Sequence, residues 1–226
     1  MLLHIPALLG PDQLRSLCAR LNTAAWGDGR LTAGHLSAQV KVNRQLPQED
    51  ATARELSDEV LRALERNPRF ISGTLPRHVY PPLFNRYEAG MSFGGHVDNA
   101  IRQIPGTSHR LRTDISATVF LSEPGEYDGG ELVIEDTYGT HSVKFAAGDM
   151  VLYPSSSVHR VLPVTRGVRT AAFFWIQSMI RDDADRRLLF DLDVSIQELT
   201  QAGANLDAVI RLTACYHNLL RRWSEL

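Results

Sequence analysis

Apolar residues recur at helical spacing near the start of the chain, where Leu14, Leu17, Cys18 and Leu21 follow Pro11, a residue suited to a first helical turn. The spacing predicts a helix over residues 11–25, closed by Gly27-Asp28-Gly29. A short strand over 38–42 and a loop at Pro47 come next. A second helix over 49–66 carries the stripe Leu56, Val60, Leu61 and Leu64 and stops at Asn67-Pro68. From Phe70 to Gln177 the period shortens, and extended runs alternate with Gly- and Pro-containing turns. Runs at 83–87, 113–121, 150–153 and 167–175 read as strands, and 131–136 with 141–145 as a hairpin whose tip holds Gly139. In 113–121, Ile115, Ala117, Val119 and Leu121 fall on one side.

Beyond Arg181 helical spacing returns, with Leu188, Leu189, Leu192, Ile196 and Leu199 in one stripe and Leu206, Val209, Ile210, Leu220 and Trp223 in another. Many short strands without intervening helices predict a mainly β fold with flanking helices, a double-stranded β-helix or jelly-roll barrel. The N-terminal helices pack outside it. No low-complexity linker sets the tail apart, so residues 1–181 form the barrel domain and 182–226 a C-terminal helical extension of that domain. The tail's apolar faces must be buried on the barrel or on a second copy of the chain, and a homodimer through these helices is the expectation.

Composition narrows the function classes. The 226 residues carry a net charge of −2, which gives no general pull toward nucleic acid or an anionic membrane. No apolar run approaches a membrane span and no signal peptide opens the chain, so a cytoplasmic protein is expected. Two cysteines, Cys18 and Cys215, each within a helical pattern, read as reduced, packed thiols.

The candidate chemistry lies in the middle of the chain. His96 and Asp98 are two residues apart, which on extended backbone points an imidazole and a carboxylate the same way. His159 is the candidate third ligand. Two histidines and one carboxylate on one face of an ion leave the opposite face open, as in non-haem Fe(II) oxygenases. Ten residues on from His159, Arg169 sits in the apolar run 167–175. A buried guanidinium needs an anion, and its fork suits the distal carboxylate of 2-oxoglutarate. Taken singly, His96 and His159 would serve as ordinary satisfied histidines; with Asp98 and Arg169 in this order, the site reading is the better one. His141 is the main competitor, since it opens a strand of the same sheet system, while surface or packing roles suffice for His4, His35, His78, His109 and His217.

His96-x-Asp98, His159 and Arg169 resemble the signature of 2-oxoglutarate/Fe(II) dioxygenases. The segments Asn85-Arg86-Tyr87-Glu88-x-Gly90, Tyr127-Asp128-Gly129-Gly130-Glu131-Leu132 and His159-Arg160-Val161-x-Pro163-Val164-Thr165-x-Gly167-x-Arg169 resemble the bacterial PKHD-type hydroxylases, relatives of prolyl hydroxylase. The resemblance covers most of the chain, its tail included. It implies Fe(II) held by His96, Asp98 and His159, 2-oxoglutarate anchored by Arg169, and L-ascorbate as the reductant that returns stray Fe(III) to Fe(II). It also implies hydroxylation of a small-molecule or peptide substrate with release of succinate and CO2.

Tyr87 and Tyr153 are read either as donors to the co-substrate's carboxylate or as core aromatics. Asp114 and Glu131 are possible acceptors for the second ring nitrogen of a ligand histidine. Residues 99–112, with Arg102, His109, Arg110 and Arg112, read as a long loop beside the site: a lid or substrate contact, favouring an acidic substrate, or a solvated basic loop. Two other classes stay open on sequence grounds: a non-catalytic iron-binding or sensing module on the same barrel, and zinc-dependent hydrolysis. Arg169 argues against the sensor, which needs no co-substrate anchor.

Overall fold

The computed structural model describes residues 1–32, 37–137 and 139–226; His35 and Tyr138 lie outside them. Among the described residues, five α-helices accompany two large antiparallel sheets and one small one. Helix α1 (Pro11–Asn22) and helix α2 (Ala51–Glu65) fall where the hydrophobic spacing predicts them. The Asp50 carboxylate caps α2 by accepting from the backbone N–H of Thr52 at 2.7 Å and Ala53 at 3.3 Å.

Asn67-Pro68 does end α2, but it also opens a helix that the sequence reading treats as extended chain. In α3 (Pro68–Thr74) the Asn67 side chain accepts from the Phe70 N–H at 2.9 Å, and Pro68 occupies a first-turn position where no intrahelical donor is needed. Phe70 therefore belongs to a helix. Around residues 38–42 the predicted strand is shorter: Ser37–Gln39 is a 3₁₀ turn and only Lys41–Val42 pairs with a neighbour.

The main path of the larger sheet runs in the order Leu3–Ile5, Met150–Pro154, Ile115–Phe120, Val164–Ser178, Leu83–Glu88, Arg44–Gln45, Gly27–Asp28. The second sheet runs Gly139–Val143, Leu132–Asp136, His159–Val161, Ser92–His96, Lys41–Val42. Residues of both sheets share one apolar cluster: Tyr87, Phe120 and Tyr153 from the larger meet Leu132, Ile134 and Val161 from the smaller. The sheets thus face each other. Their pairing ends at free edges among the described residues, so the expected barrel is an open pair of sheets rather than a closed ring of hydrogen bonds.

Strand alternation divides the larger sheet into two jobs. Ile115, Ala117 and Val119, with Ala172, Phe174 and Ile176 of the neighbouring strand, pack outward with Leu17 and Leu21 of α1 and Leu56, Val60 and Leu64 of α2. The intervening positions, Ser116 and Thr118 on one strand and Arg169, Phe173 and Trp175 on the other, line the cleft between the sheets. One face is core and the other is site.

The tail forms α4 (Asp183–Gln201) and α5 (Leu206–Trp223). Their burial departs from the predicted stripes. Leu189 and Phe190 are buried, while Leu188, Leu206 and Ile210 are more than half exposed. Leu189 packs with Leu75, Ile180, Tyr216 and Trp223, so the inward face is set by where α4 meets α3, α5 and Ile180. None of the five helices is long and apolar enough to cross a membrane. Cys18 and Cys215 are both free, Cys18 half-buried and Cys215 exposed.

Candidate active site

His96 ends the strand Ser92–His96 and His159 begins the strand His159–Val161, and the two are cross-strand partners. Cross-strand partners project to the same face of a sheet, so pairing alone brings two remote segments together. Their rings lie 4.2 Å apart. Asp98 follows just past the strand end, with Oδ2 3.7 Å from His159 Nε2, and the donor atoms of His96, Asp98 and His159 all lie within 4.8 Å of one another. Spacing of this order suits three ligands of one ion.

Local hydrogen bonds prepare all three donors. His96 Nδ1 lies 2.8 Å from the Gly94 carbonyl and His159 Nδ1 3.0 Å from the Ser157 carbonyl. A carbonyl only accepts, so each Nδ1 carries the proton and each Nε2 is left with a lone pair. Burial, then the neighbouring His159, pushes His96 down to about 4, which keeps it neutral and able to bind a metal at physiological pH. The Ser116 hydroxyl donates to Asp98 Oδ2 at 2.6 Å and is itself 2.7 Å from Ser155 Oγ. Phe93 stacks on His96 with ring centroids 3.6 Å apart, which fixes the plane of the imidazole.

The acceptors considered from sequence for the ligand histidines are engaged elsewhere. Asp114 binds Arg112 and the Ser178 N–H, and Glu131 lies 3.9 Å from Lys144; backbone carbonyls two residues upstream serve the histidines instead. His141, the competitor, is exposed and paired with Asp136 at 2.8 Å.

Arg169 faces the same cleft as the triad. It is 2% exposed, and its guanidinium carbon lies 5.5 Å from the ring centroids of both Tyr87 and Phe120. Its buried Nε has no hydrogen-bond partner among the described residues, nor has the buried Tyr127 hydroxyl nearby. A charged donor buried in this way is costly unless an anion completes it. Gly130 permits the arrangement: its φ is +67°, and a Cβ there would lie 3.1 Å from Arg169 Cδ and 3.1 Å from the Tyr127 ring.

Tyr87 is the cross-strand partner of Arg169, and burial pushes its phenol up to about 12. Tyr153 is also buried, its ring 5.0 Å from His159, and burial raises its phenol well above the ordinary value of 10.0. Both phenols are buried, stay protonated and line the cleft, as core aromatics of the cluster between the sheets.

The predicted loop 99–112 is in fact a hairpin, Ile101–Gln103 paired with Arg110–Arg112. Of its cations only Arg102 lines the cleft, with its guanidinium carbon 3.5 Å from the Trp175 ring centroid. Arg112 is spent on Asp114 and Glu225, at 2.6 and 2.7 Å, and Arg110 is exposed. Sequence reasoning missed Lys41, Ser116 and Ser155. Parity on the strand Ile115–Phe120 could have found Ser116, opposite the apolar face, but nothing in sequence signals Lys41.

The sequence profile of the 2OG-Fe(II) oxygenase superfamily matches residues 82–177, the segment that holds the triad and Arg169. Solved structures agree in fold. A prolyl-4-hydroxylase from Pseudomonas putida superposes with a TM-score of 0.52 at 21% identity, covering 78% of this chain and 92% of that one. A prolyl hydroxylase from Trichoplax adhaerens, solved with a hypoxia-inducible-factor peptide, gives 0.53 at 13% identity, covering 83% and 86%. HygX from Streptomyces hygroscopicus, solved with nickel and 2-oxoglutarate, gives 0.52 at 16%, covering 78% and 82%. Fold and site together define an enzyme of the 2-oxoglutarate-dependent Fe(II) oxygenase class.

The particular family follows from closer relatives. PKHD-type hydroxylases from Burkholderia ambifaria and Xanthomonas campestris are 60% identical to this chain, and one from Gluconobacter oxydans 61%, each across 100% of both chains. The profile of the PKHD-type hydroxylase C-terminal domain matches residues 183–225. The chain belongs to the PKHD-type hydroxylases.

Proposed function

We propose that this enzyme hydroxylates a C–H bond of a small-molecule or peptide substrate, consuming O2 and 2-oxoglutarate. The single observation that carries the reading is the sharing of one cleft by a His-Asp-His donor set and a buried arginine whose Nε has no hydrogen-bond partner among the described residues. The donor set fits Fe(II): two neutral imidazoles and one carboxylate are a common ligand set for it, and three protein ligands leave positions for other molecules. Bound iron and 2-oxoglutarate supply the oxidation, in which keto acid, O2 and substrate become succinate, CO2 and a hydroxylated product.

The chain's own residues do the holding. His96, Asp98 and His159 present Nε2, a carboxylate oxygen and Nε2 to the iron. Ser116 keeps Asp98 turned toward the histidines by donating to Oδ2. Arg169 receives the distal carboxylate of 2-oxoglutarate, with the protonated phenols of Tyr87 and Tyr153 as neutral neighbours. The apolar walls exclude water and strengthen these interactions. In this reading the facing sheets are the family's double-stranded β-helix, with the site at its mouth, and 182–226 extends the same domain.

Ascorbate as the reductant of stray Fe(III) and a cytoplasmic location are carried over on the family resemblance and the sequence. Pairing of two copies through the tail is supported by the exposure of Leu188, Leu206 and Ile210, and sedimentation of the full chain tests it. The alternative of an iron-sensing module predicts metal binding without turnover. The deciding experiment is Fe(II)-dependent conversion of 2-oxoglutarate to succinate with O2 uptake. We expect it in the wild type, and expect His96→Ala and Asp98→Ala each to remove both iron binding and turnover. Fe(II)-dependent succinate release retained by either variant sinks the ligand assignment.

A further inference from the structure

A carboxylate held bidentately takes two of a guanidinium's three nitrogens, so the anchor proposed for Arg169 leaves one nitrogen to be accounted for. Its Nε is buried and has no hydrogen-bond partner among the described residues. The Tyr127 hydroxyl is in the same condition, on a residue that is 0% exposed. A buried N–H and a buried hydroxyl left open are each costly, and each is what the other lacks.

Strand register puts the two side chains together. Tyr127, on the strand Tyr127–Gly129, pairs with Gly167 of the strand Val164–Ser178. Arg169 stands two residues further along that strand. It therefore shares the face of Gly167 and is the diagonal neighbour of Tyr127, a separation that an aromatic and a long side chain span. Both flank Gly130, where a Cβ would lie 3.1 Å from Arg169 Cδ and 3.1 Å from Tyr127 Cε2. Lys144 fixes the ring: its Nζ donates to the Tyr127 carbonyl at 2.8 Å and stands 4.1 Å from the ring centroid. Burial pushes the Tyr127 phenol up from its ordinary 10.0, and Arg169 acts against the rise chiefly by charge. The two groups are in electrostatic reach of each other without a hydrogen bond of ordinary geometry between them.

We propose that Tyr127 is a positioning residue for the co-substrate anchor: its hydroxyl accepts the Arg169 Nε–H and so turns the two Nη groups toward the distal carboxylate of 2-oxoglutarate. The role rests on the dioxygenase reading and deepens it, since it states how the anchor is aimed. Tyr127 acts through Arg169 and does not itself line the cleft. A neutral phenol suits the task because its oxygen can accept while adding no charge that would compete with the carboxylate. Phenylalanine at the same position would fill nearly the same volume and accept nothing.

The test is calorimetric titration of the full chain, loaded anaerobically with Fe(II), using two probes: 2-oxoglutarate and 2-oxopentanoate, the same keto acid without the distal carboxylate. The wild type should prefer 2-oxoglutarate by about tenfold or more, because only that acid reaches Arg169. Tyr127→Phe should weaken 2-oxoglutarate about fivefold and leave 2-oxopentanoate unchanged, and the second result also reports that the variant is folded. In an Arg169→Met background the same substitution should change neither affinity, since the group it positions is gone. The role is overturned by full 2-oxoglutarate affinity in Tyr127→Phe, or by a loss that persists in the Arg169→Met background. Equal weakening of both acids also overturns it, because a merely structural tyrosine would act on both alike. A wild type that binds neither acid, or binds the two equally, overturns the anchor reading itself and the positioning role with it. The other adverse outcomes remove only Tyr127, which separates the two failures.

Discussion

Arg169 and Arg186 are each only 2% exposed, yet the fold treats them in opposite ways. Arg186, in the first turns of α4, donates to the Ile180 carbonyl at 2.8 Å and to Asp183 Oδ1 at 2.6 Å, and Asp183 in turn binds the amino group of Met1. That cluster ties the tail to the N-terminus and is complete by itself. Arg169 projects into a cleft among aromatic rings, and its Nε has no hydrogen-bond partner among the described residues. Depth of burial therefore does not by itself separate a cation that the described residues complete from one that they leave open; on the proposed reading, 2-oxoglutarate completes Arg169.

Exchange of the two arginines for apolar side chains should break this symmetry most clearly. Arg186→Met removes a buried guanidinium, so the buried Ile180 carbonyl loses its donor while the partly exposed Asp183 keeps the Met1 amino group. We expect a stability loss of about 3 kcal/mol in denaturant unfolding, with 2-oxoglutarate affinity unchanged in the folded fraction. Arg169→Met should do the reverse. It deletes a charge-assisted contact worth roughly 1.5–3 kcal/mol, so the 2-oxoglutarate Kd or KM rises about tenfold to a hundredfold. Stability without ligand should hold or rise, since an incompletely partnered charge is no longer buried. Equal destabilisation by the two substitutions ends the distinction.

Lys41 provides an intermediate case. Its pKa, about 8 in the folded chain against an ordinary 10.5, means that the folded state disfavours the charged form. Between those two values the unfolded chain binds more protons, so this group's contribution raises stability as pH increases from 8 to 10.5. At neutral pH both states are protonated and the cost of burial is fully felt. Lys41→Met should therefore stabilise the ligand-free protein at pH 7 by on the order of 2 kcal/mol and flatten the rise above pH 8. An unchanged urea midpoint at pH 7 counts against a charge held at the expense of stability.

The smallest effect concerns Asp183. Burial alone would raise its carboxyl, but the Met1 amino group, through hydrogen bond and charge, and then Arg186 outweigh this and hold it below the ordinary 3.8. A depressed carboxylate contributes stability that is present above 3.8 and lost as pH falls through the lower folded value. Asp183→Asn should lose part of its stability at pH 7 and show a shallower acid transition below pH 4, read by circular dichroism. A parallel acid limb in both proteins removes Asp183 from the cluster.

Much of this was legible in the chain itself. Leu14, Leu17 and Leu21, then Leu56, Val60 and Leu64, place α1 and α2 because an amphipathic helix declares its buried face by period. Alternation places the strand Ile115–Phe120 and an apolar run the strand Val164–Ser178, and the chain order His96, Asp98, His159, Arg169 names four side chains that the structure gathers in one cleft. Less legible were elements whose signals serve two purposes. Asn67-Pro68 stops one helix and caps the next, and the basic run 99–112 has the composition of a loop although it pairs with itself. The tail's stripes mislead because α4 buries the side that α3, α5 and Ile180 reach, leaving Leu188 outside.

The sequence alone determined which side chains could hold an ion and an acid, since donor type and charge are properties of residues. It also determined the mainly β class, because the two-residue period is written locally. Only the tertiary structure decided that His159 would pair across strands with His96, that Ser116 would reach Asp98, and that Arg102 of the three hairpin arginines would turn inward. These are relations between segments distant along the chain. Register and packing set them, and neither is encoded at a single position.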